Sequence, residues 1–107
     1  MANTYKNAKV DLTTTNATTV LTTPVGSTNI IKSMLVSEDR GNDDTITLTI
    51  TDTDSAVFSL FKVKAVSANT TVELLTQPLV LQDSEILKAT AATANRLHLV
   101  VSYLEIS

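Results

Sequence analysis

The chain has 107 residues, of which 43% are hydrophobic, and its formal net charge is −3. This length suits one domain with one core, and the hydrophobic fraction excludes a disordered polar tail. The acidic balance argues against nucleic acid as a partner, because phosphates require a basic surface. The chain contains no cysteine, which excludes disulfides and thiolate metal sites.

No apolar run approaches the roughly 18 residues of a transmembrane helix, so a membrane is not expected as a partner. The opening residues 1–7 lack the apolar stretch of a signal peptide, which predicts a protein kept in the cytoplasm where it is made. Aromatic residues make up only 4% of the chain, so the core depends on Val, Ile, Leu and Ala. A core of this kind in a small domain favours stabilisation by oligomerisation.

Extended segments separated by turn signals follow one another along a single domain that spans residues 1–107. Residues 1–5 are polar and are predicted to form a flexible arm. The predicted strands then cover residues 6–13, 17–22, 29–37, 44–52, 56–65, 70–76, 85–91 and 96–106. Pro78 reduces residues 79–81 to an edge strand or a bend.

The segment 44–52 shows the clearest strand pattern. Ile46, Leu48 and Ile50 alternate with threonines, and strict alternation is typical of a strand with one buried face. Residues 29–37 are apolar on both faces, which predicts a central strand buried on both sides. About eight short strands without a helix predict an all-β protein, an antiparallel β-sandwich or a jelly-roll-like barrel.

The sequence offers no catalytic constellation. His98 is the only histidine, and without a nucleophile at recognisable spacing it is interpreted as a strand-face residue. The acidic loop 38–44, with Asp52 and Asp54 nearby, could gather carboxylates around a hard cation such as calcium, but its order differs from the twelve-residue calcium loop. The sequons that begin at Asn16 and Asn69 are expected by chance in a threonine-rich chain. We therefore expect no enzyme activity, no cofactor and no metal.

Two strands carry apolar residues on a second face. In residues 56–65, strict alternation puts Phe58 and Leu60 opposite Val57, Phe61 and Val63. In residues 96–106 the second face carries Val100, Leu104 and Ile106. A second apolar face is covered either by the other sheet of a sandwich or by a neighbouring subunit, and both readings stay open. We take these residues, together with Tyr5 and Lys6 of the arm, as the predicted partner interface.

Two blocks of the sequence resemble small virion proteins of tailed bacteriophages. Residues 23–27, Thr-Pro-Val-Gly-Ser, followed by 31–37, Ile-Lys-Ser-Met-Leu-Val-Ser, are similar to a recurring opening of these proteins. Residues 68–81 resemble their second block, and 85–91 with a closing strand that ends at Ile106 complete the likeness.

The resemblance implies a structural protein without enzyme activity, a β-sandwich that assembles in symmetric copies, commonly trimers, as a capsid decoration (cement) protein. Its implied partners are its own copies and the major capsid protein or other virion proteins, and its implied location is the virion after assembly in the host cytoplasm. Neck, tail or fibre components are the alternative within the virion. A soluble module that binds a glycan or a peptide is the alternative outside it.

Overall fold

The computed structural model describes residues 2–107, which form nine β-strands. In chain order the strands are β1 Asn3–Leu12, β2 Thr18–Thr22, β3 Thr28–Glu38, β4 Asp44–Thr51, β5 Val57–Val66, β6 Thr71–Glu73, β7 Leu79–Leu81, β8 Ile86–Ala91 and β9 Leu97–Ile106. Within these residues, no helix is long and apolar enough to span a membrane. The all-β prediction is confirmed.

Two antiparallel sheets face each other across one core. The five-stranded sheet has the order β1-β9-β3, with β6 and β7 both pairing the far side of β3, and the four-stranded sheet has the order β2-β8-β4-β5. The chain thus folds as one long hairpin rolled up on itself: β1 pairs with β9, β2 with β8, β3 with β6 and β7, and β4 with β5. This is the pairing of a jelly roll, and β6 and β7 share one of its eight positions.

The core lies between the sheets and is built from aliphatic side chains, as the composition indicated. Ile46 and Leu48 of β4 are fully buried. Their threonine neighbours lie on the other face and are half-buried, so the predicted orientation of this strand is confirmed. Across the core, Leu97, Leu99 and Val101 of β9 are also fully buried. Alternate residues of the strands thus supply the core from both inner faces.

The first strand begins earlier than predicted. Asn3, Thr4 and Tyr5 pair with the end of β9, so residues 3–5 of the predicted arm belong to the sheet. Met1 lies outside the described residues. Ala2 continues the ladder, since its N–H donates to the Ser107 carbonyl at 3.2 Å and its carbonyl accepts from the Ser107 N–H at 3.0 Å. Truncation of residues 1–7 would therefore remove half of an edge strand.

The predicted alternation along β5 is wrong. Phe58 lies opposite Ile50 and Phe61 lies opposite Leu48, so both fall in register with core residues of β4. Two register shifts lie within this pairing, and such β-bulges break the two-residue period. Leu60 and Phe61 consequently both pack against the core.

Val63 lies at one of these irregular positions and has a φ of 54°. A left-handed backbone costs an L-residue about 1–2 kcal/mol, and asparagine tolerates it better than a β-branched residue. Val63 is also 60% exposed, so little burial is lost on replacement. Val63→Asn is therefore expected to increase the free energy of unfolding by about 1 kcal/mol, measured by urea denaturation. Val57→Asn, on the same strand without a positive φ, should give no gain; equal effects of the two changes would contradict the explanation.

Candidate interaction surface

The outer face of the five-stranded sheet carries apolar side chains that no other described part of the chain covers. The pairing register aligns four of them in one row across four strands, termed here the apolar row: Tyr5 of β1, Leu104 of β9, Ile30 of β3 and Val80 of β7. Tyr5 is 77% exposed and Val80 is 51% exposed, whereas the two central members are half-buried. The row forms a continuous apolar strip.

A second row crosses the same face and has charges at its two ends. It consists of Lys9, Val100, Leu35 and Glu73, and it is termed here the mixed row. Val100 and Leu35 are exposed large hydrophobic residues. Ile106 lies on the same face, opposite Thr28. The fold thus brings Tyr5, Val100, Leu104 and Ile106 of the predicted interface together.

The prediction that β3 is buried on both sides is wrong for the single chain. Ile31, Met34 and Val36 face the core and are fully buried. Leu35 on the opposite face is exposed and Ile30 is half-buried, because the sandwich covers only one side of each sheet. The apolar residues on the outer side of β3 are those that sequence periodicity assigned to a second buried face. They are available to a partner.

Lys6 does not join this face. It alternates with Tyr5 along β1 and its Nζ donates to Glu105 Oε2 at 2.7 Å. The hydrogen bond and the negative charge of Glu105 raise the pKa of Lys6 above its ordinary value. The ammonium is therefore engaged within the chain, and its predicted role as an anchor on a neighbour has no support from this geometry.

The edge of the four-stranded sheet presents a second exposed apolar surface. β5 pairs only with β4, so its other edge is open. Val57, Phe58 and Val63 are each more than half exposed along it. Leu60, by contrast, is half-buried against the core and is less accessible than predicted. Lys62 and Lys64 are exposed on the same strand, and edge lysines are a common protection against strand-to-strand aggregation.

The acidic loop is held by its own carboxylates. Glu38 is the last residue of β3 and is buried. One carboxylate oxygen accepts the backbone N–H of Arg40 at 2.9 Å, and the other accepts those of Gly41, Asn42 and Asn69 at 2.9, 3.1 and 3.0 Å. Burial by itself raises the pKa of Glu38, but these four hydrogen bonds outweigh it and hold the pKa below its ordinary value. Glu38 therefore ties the β3–β4 loop to the turn after β5.

Two other acids of the loop also bind backbone groups. Asp43 accepts the N–H of Ala68 at 2.8 Å, and the buried Asp44 accepts that of Thr93 at 3.2 Å. Within residues 2–107, no group of three or more histidine, cysteine or acidic side chains is arranged to hold a metal ion. The carboxylates of the loop thus bind backbone N–H groups of the loop itself and of the turns after β5 and β8.

His98 lies on the outer face of β9, as expected for a strand-face residue. Its Nε2 is 3.2 Å from Asp11 on β1, and its Nδ1 is 3.5 Å from Asp39 in the acidic loop. All three side chains are roughly half exposed. This trio adds a polar end to the outer face, beyond the mixed row, and it connects the edge strand to the loop.

The chain matches no protein-family model, and no curated protein shows significant similarity to it. The fold defines an all-β jelly-roll domain, and its surface is distinguished by the apolar and mixed rows. The function is accordingly inferred from this surface and from the sequence resemblance described above.

Proposed function

We propose that this protein is a structural component of a tailed-phage virion, a decoration protein that binds the assembled capsid and stabilises it. The observation that carries the proposal is the uncovered apolar row, in which Tyr5 is 77% exposed and Val80 is 51% exposed. Large contiguous apolar patches are uncommon on the surfaces of monomeric soluble proteins, and they commonly mark surfaces that bind other proteins.

A decoration protein has to contact both the shell and its own copies, and the chain offers two separate apolar surfaces for these tasks. One is the outer face of the five-stranded sheet, and the other is the open β5 edge around Phe58. The proposed partners are other copies of the chain and the major capsid protein. The proposed location is the virion, with the host cytoplasm as the place of assembly.

The resemblance of residues 23–37 and 68–81 to tailed-phage virion proteins supports the choice of partner class. Jelly rolls are also frequent among viral capsid domains, although lectins and cupins share the architecture, so the fold alone gives no function. The described carboxylates Glu38, Glu73 and Asp83 all accept backbone N–H bonds. No enzyme activity and no cofactor are part of the proposed role.

The proposed mechanism is stabilisation by mass action. A protein that binds several shell subunits at once binds only the assembled state, so it lowers the free energy of that state relative to free subunits. The particle then opens at a higher temperature or under a larger force. The uncharged apolar row fits this task, because its burial stabilises the contact without the desolvation penalty of charges.

We expect particles that lack this protein to melt at a lower temperature than complete particles. The test compares thermal opening, followed by release of the packaged genome to a fluorescent dye, for wild-type phage and for phage with the gene deleted. Adding back the purified protein should restore the higher temperature progressively as its concentration rises. The Tyr5→Glu variant is compared with the wild-type protein in the same add-back experiment, because it alters the exposed face and keeps the core.

Three results distinguish the alternatives. Recovery of the melting temperature on add-back supports the decoration role. Particles of unchanged stability that fail to join tails or to attach to the host would instead favour a neck, tail or fibre component. Absence of the protein from purified virions would overturn the virion proposal and leave a soluble binding module.

A further inference from the structure

On the outer face of the five-stranded sheet, the strand register places complementary side chains at the two opposite edges. The apolar row ends in Tyr5 on β1 and Val80 on β7, and the mixed row ends in Lys9 on β1 and Glu73 on β6. The two edges of the face are therefore different: one presents an aromatic ring and a cation, and the other presents an aliphatic side chain and an anion. Each edge offers what the other binds.

We propose that this face binds the same face of a second copy of the chain, about a two-fold axis that runs parallel to the strands between β9 and β3. This axis places β1 of one copy over β6 and β7 of the other, and β9 of one copy over β3 of the other. Tyr5 then meets Val80 of the second copy, and Leu104 meets Ile30 of the second copy. The contact is isologous, so every pair occurs twice.

The same axis pairs the charges. In the mixed row, Lys9 meets Glu73 of the second copy, while Val100 meets Leu35 of the second copy. Glu73 accepts hydrogen bonds from the Ser33 hydroxyl and from the N–H groups of Met34 and Leu75. Burial acts to raise its pKa, but these bonds outweigh it and hold the pKa of Glu73 below its ordinary value, so the anion persists at neutral pH.

Another direction of the axis fits the surface less well. An axis perpendicular to the strands, through the row of Asn7, would bring Lys9 onto Tyr5 and Glu73 onto Val80. Glu73 would then lose an oppositely charged partner and be desolvated against an aliphatic side chain, which is unfavourable. Lys9 would exchange its ionic partner for a weaker cation–π contact with Tyr5. The pairing of unlike charges selects the axis parallel to the strands.

The size of the face sets the expected affinity. Four strands about 4.8 Å apart and about 33 Å long cover about 600 Å² per copy. Twice this area is about 1,200 Å², which is at the lower end of specific protein–protein interfaces. The dimer should therefore dissociate on dilution. It also differs from the trimer that the resemblance implies, since a cyclic trimer requires two different complementary patches.

The test is sedimentation velocity of the pure protein over a wide concentration range. Wild-type protein should shift from monomer to dimer as the concentration rises. Tyr5→Glu should weaken dimerisation roughly 30-fold, the effect typical of losing a large aromatic anchor. Val80→Lys should also weaken it, and the double variant should recover part of the affinity, because the two new charges face each other across the axis.

Val25→Glu is the matched control, since it places the same charge at an exposed valine in the turn between β2 and β3, outside both apolar surfaces, and should leave the dimer intact. A monomer at every concentration, a trimer, or equal disruption by Val25→Glu and Tyr5→Glu would each overturn the proposal. Melting of each variant checks its fold. The dimer proposal concerns the same surface as the proposed function, but its test uses no particles. A protein that dimerises but is absent from virions would support the dimer and refute the virion role. A protein that stays monomeric but stabilises capsids would refute only the dimer.

Discussion

Replacement of Leu48 by aspartate is expected to unfold the domain. Leu48 is fully buried in β4, with Ala89 of β8 and Phe61 of β5 opposite it. A carboxylate at this position would be desolvated without an ionic partner, at a cost of several kcal/mol. The free energy of unfolding of a domain is about 5–15 kcal/mol, so this single change would remove much of it. Circular dichroism and thermal melting measure the outcome.

Two companion variants separate burial from charge. Leu48→Ala should destabilise by about 2–5 kcal/mol, because it leaves a cavity without a charge. Thr49→Asp introduces the same carboxylate one residue later, on the outer face opposite Lys88, and should change the stability by less than about 1 kcal/mol. A folded Leu48→Asp protein with an unchanged melting temperature would contradict the position of this side chain in the core.

Glu38→Gln is expected to loosen the acidic loop and to lower the melting temperature. The glutamine amide has only one acceptor oxygen. Its NH₂ group would replace the second carboxylate oxygen and would face a backbone N–H from which it cannot accept a hydrogen bond. Hydrogen exchange should accelerate at the amides of Arg40, Gly41, Asn42 and Asn69, which donate to Glu38. Asp39→Asn, which removes one charge from an exposed side chain of the same loop, should leave these four amides protected.

The same site predicts a pH dependence. The pKa of Glu38 is lower in the folded protein than its ordinary value of 4.5. Its contribution to stability is therefore fully present above the unfolded pKa and is lost as the pH falls through the folded pKa. Glu73 and Asp83 have lowered pKa values as well, so the wild-type protein should lose stability progressively below about pH 5. Glu38→Gln should show a shallower loss, and an identical pH profile would exclude this role for Glu38.

The sequence predicted the strands of this fold better than their arrangement. Alternation over Asp44–Thr51 identified β4 and its buried face, because the two-residue period of a strand is a local property. The order of strands is not local: β1 pairs with β9 across nearly the whole described chain. Along β5 the alternation failed, since bulges insert residues that no local pattern marks.

Only part of the candidate surface could be predicted, again because the arrangement of the strands is not a local property. Apolar second faces pointed to Val100, Leu104 and Ile106, and the structure adds Ile30, Leu35 and Val80 to their face. The apolar row requires the register of three strand pairs, and a shift by one residue would reverse every side chain. Glu38 was considered only as one carboxylate of a loop that could bind a cation, because neither composition nor spacing distinguishes a carboxylate that binds backbone N–H groups from one that faces water.

The pairing of β1 with β9 has a consequence for the order of events in the cell. Neither row on the outer face exists until β9 is synthesised, because each row draws on β1, β9 and β3. Contacts between strands so distant in sequence make folding slow, typically milliseconds to seconds for all-β domains. A nascent chain on the ribosome therefore carries β1 and β3 without the surface that they later form. Any contact through the outer face therefore has to wait until β9 has been synthesised and has paired with both β1 and β3.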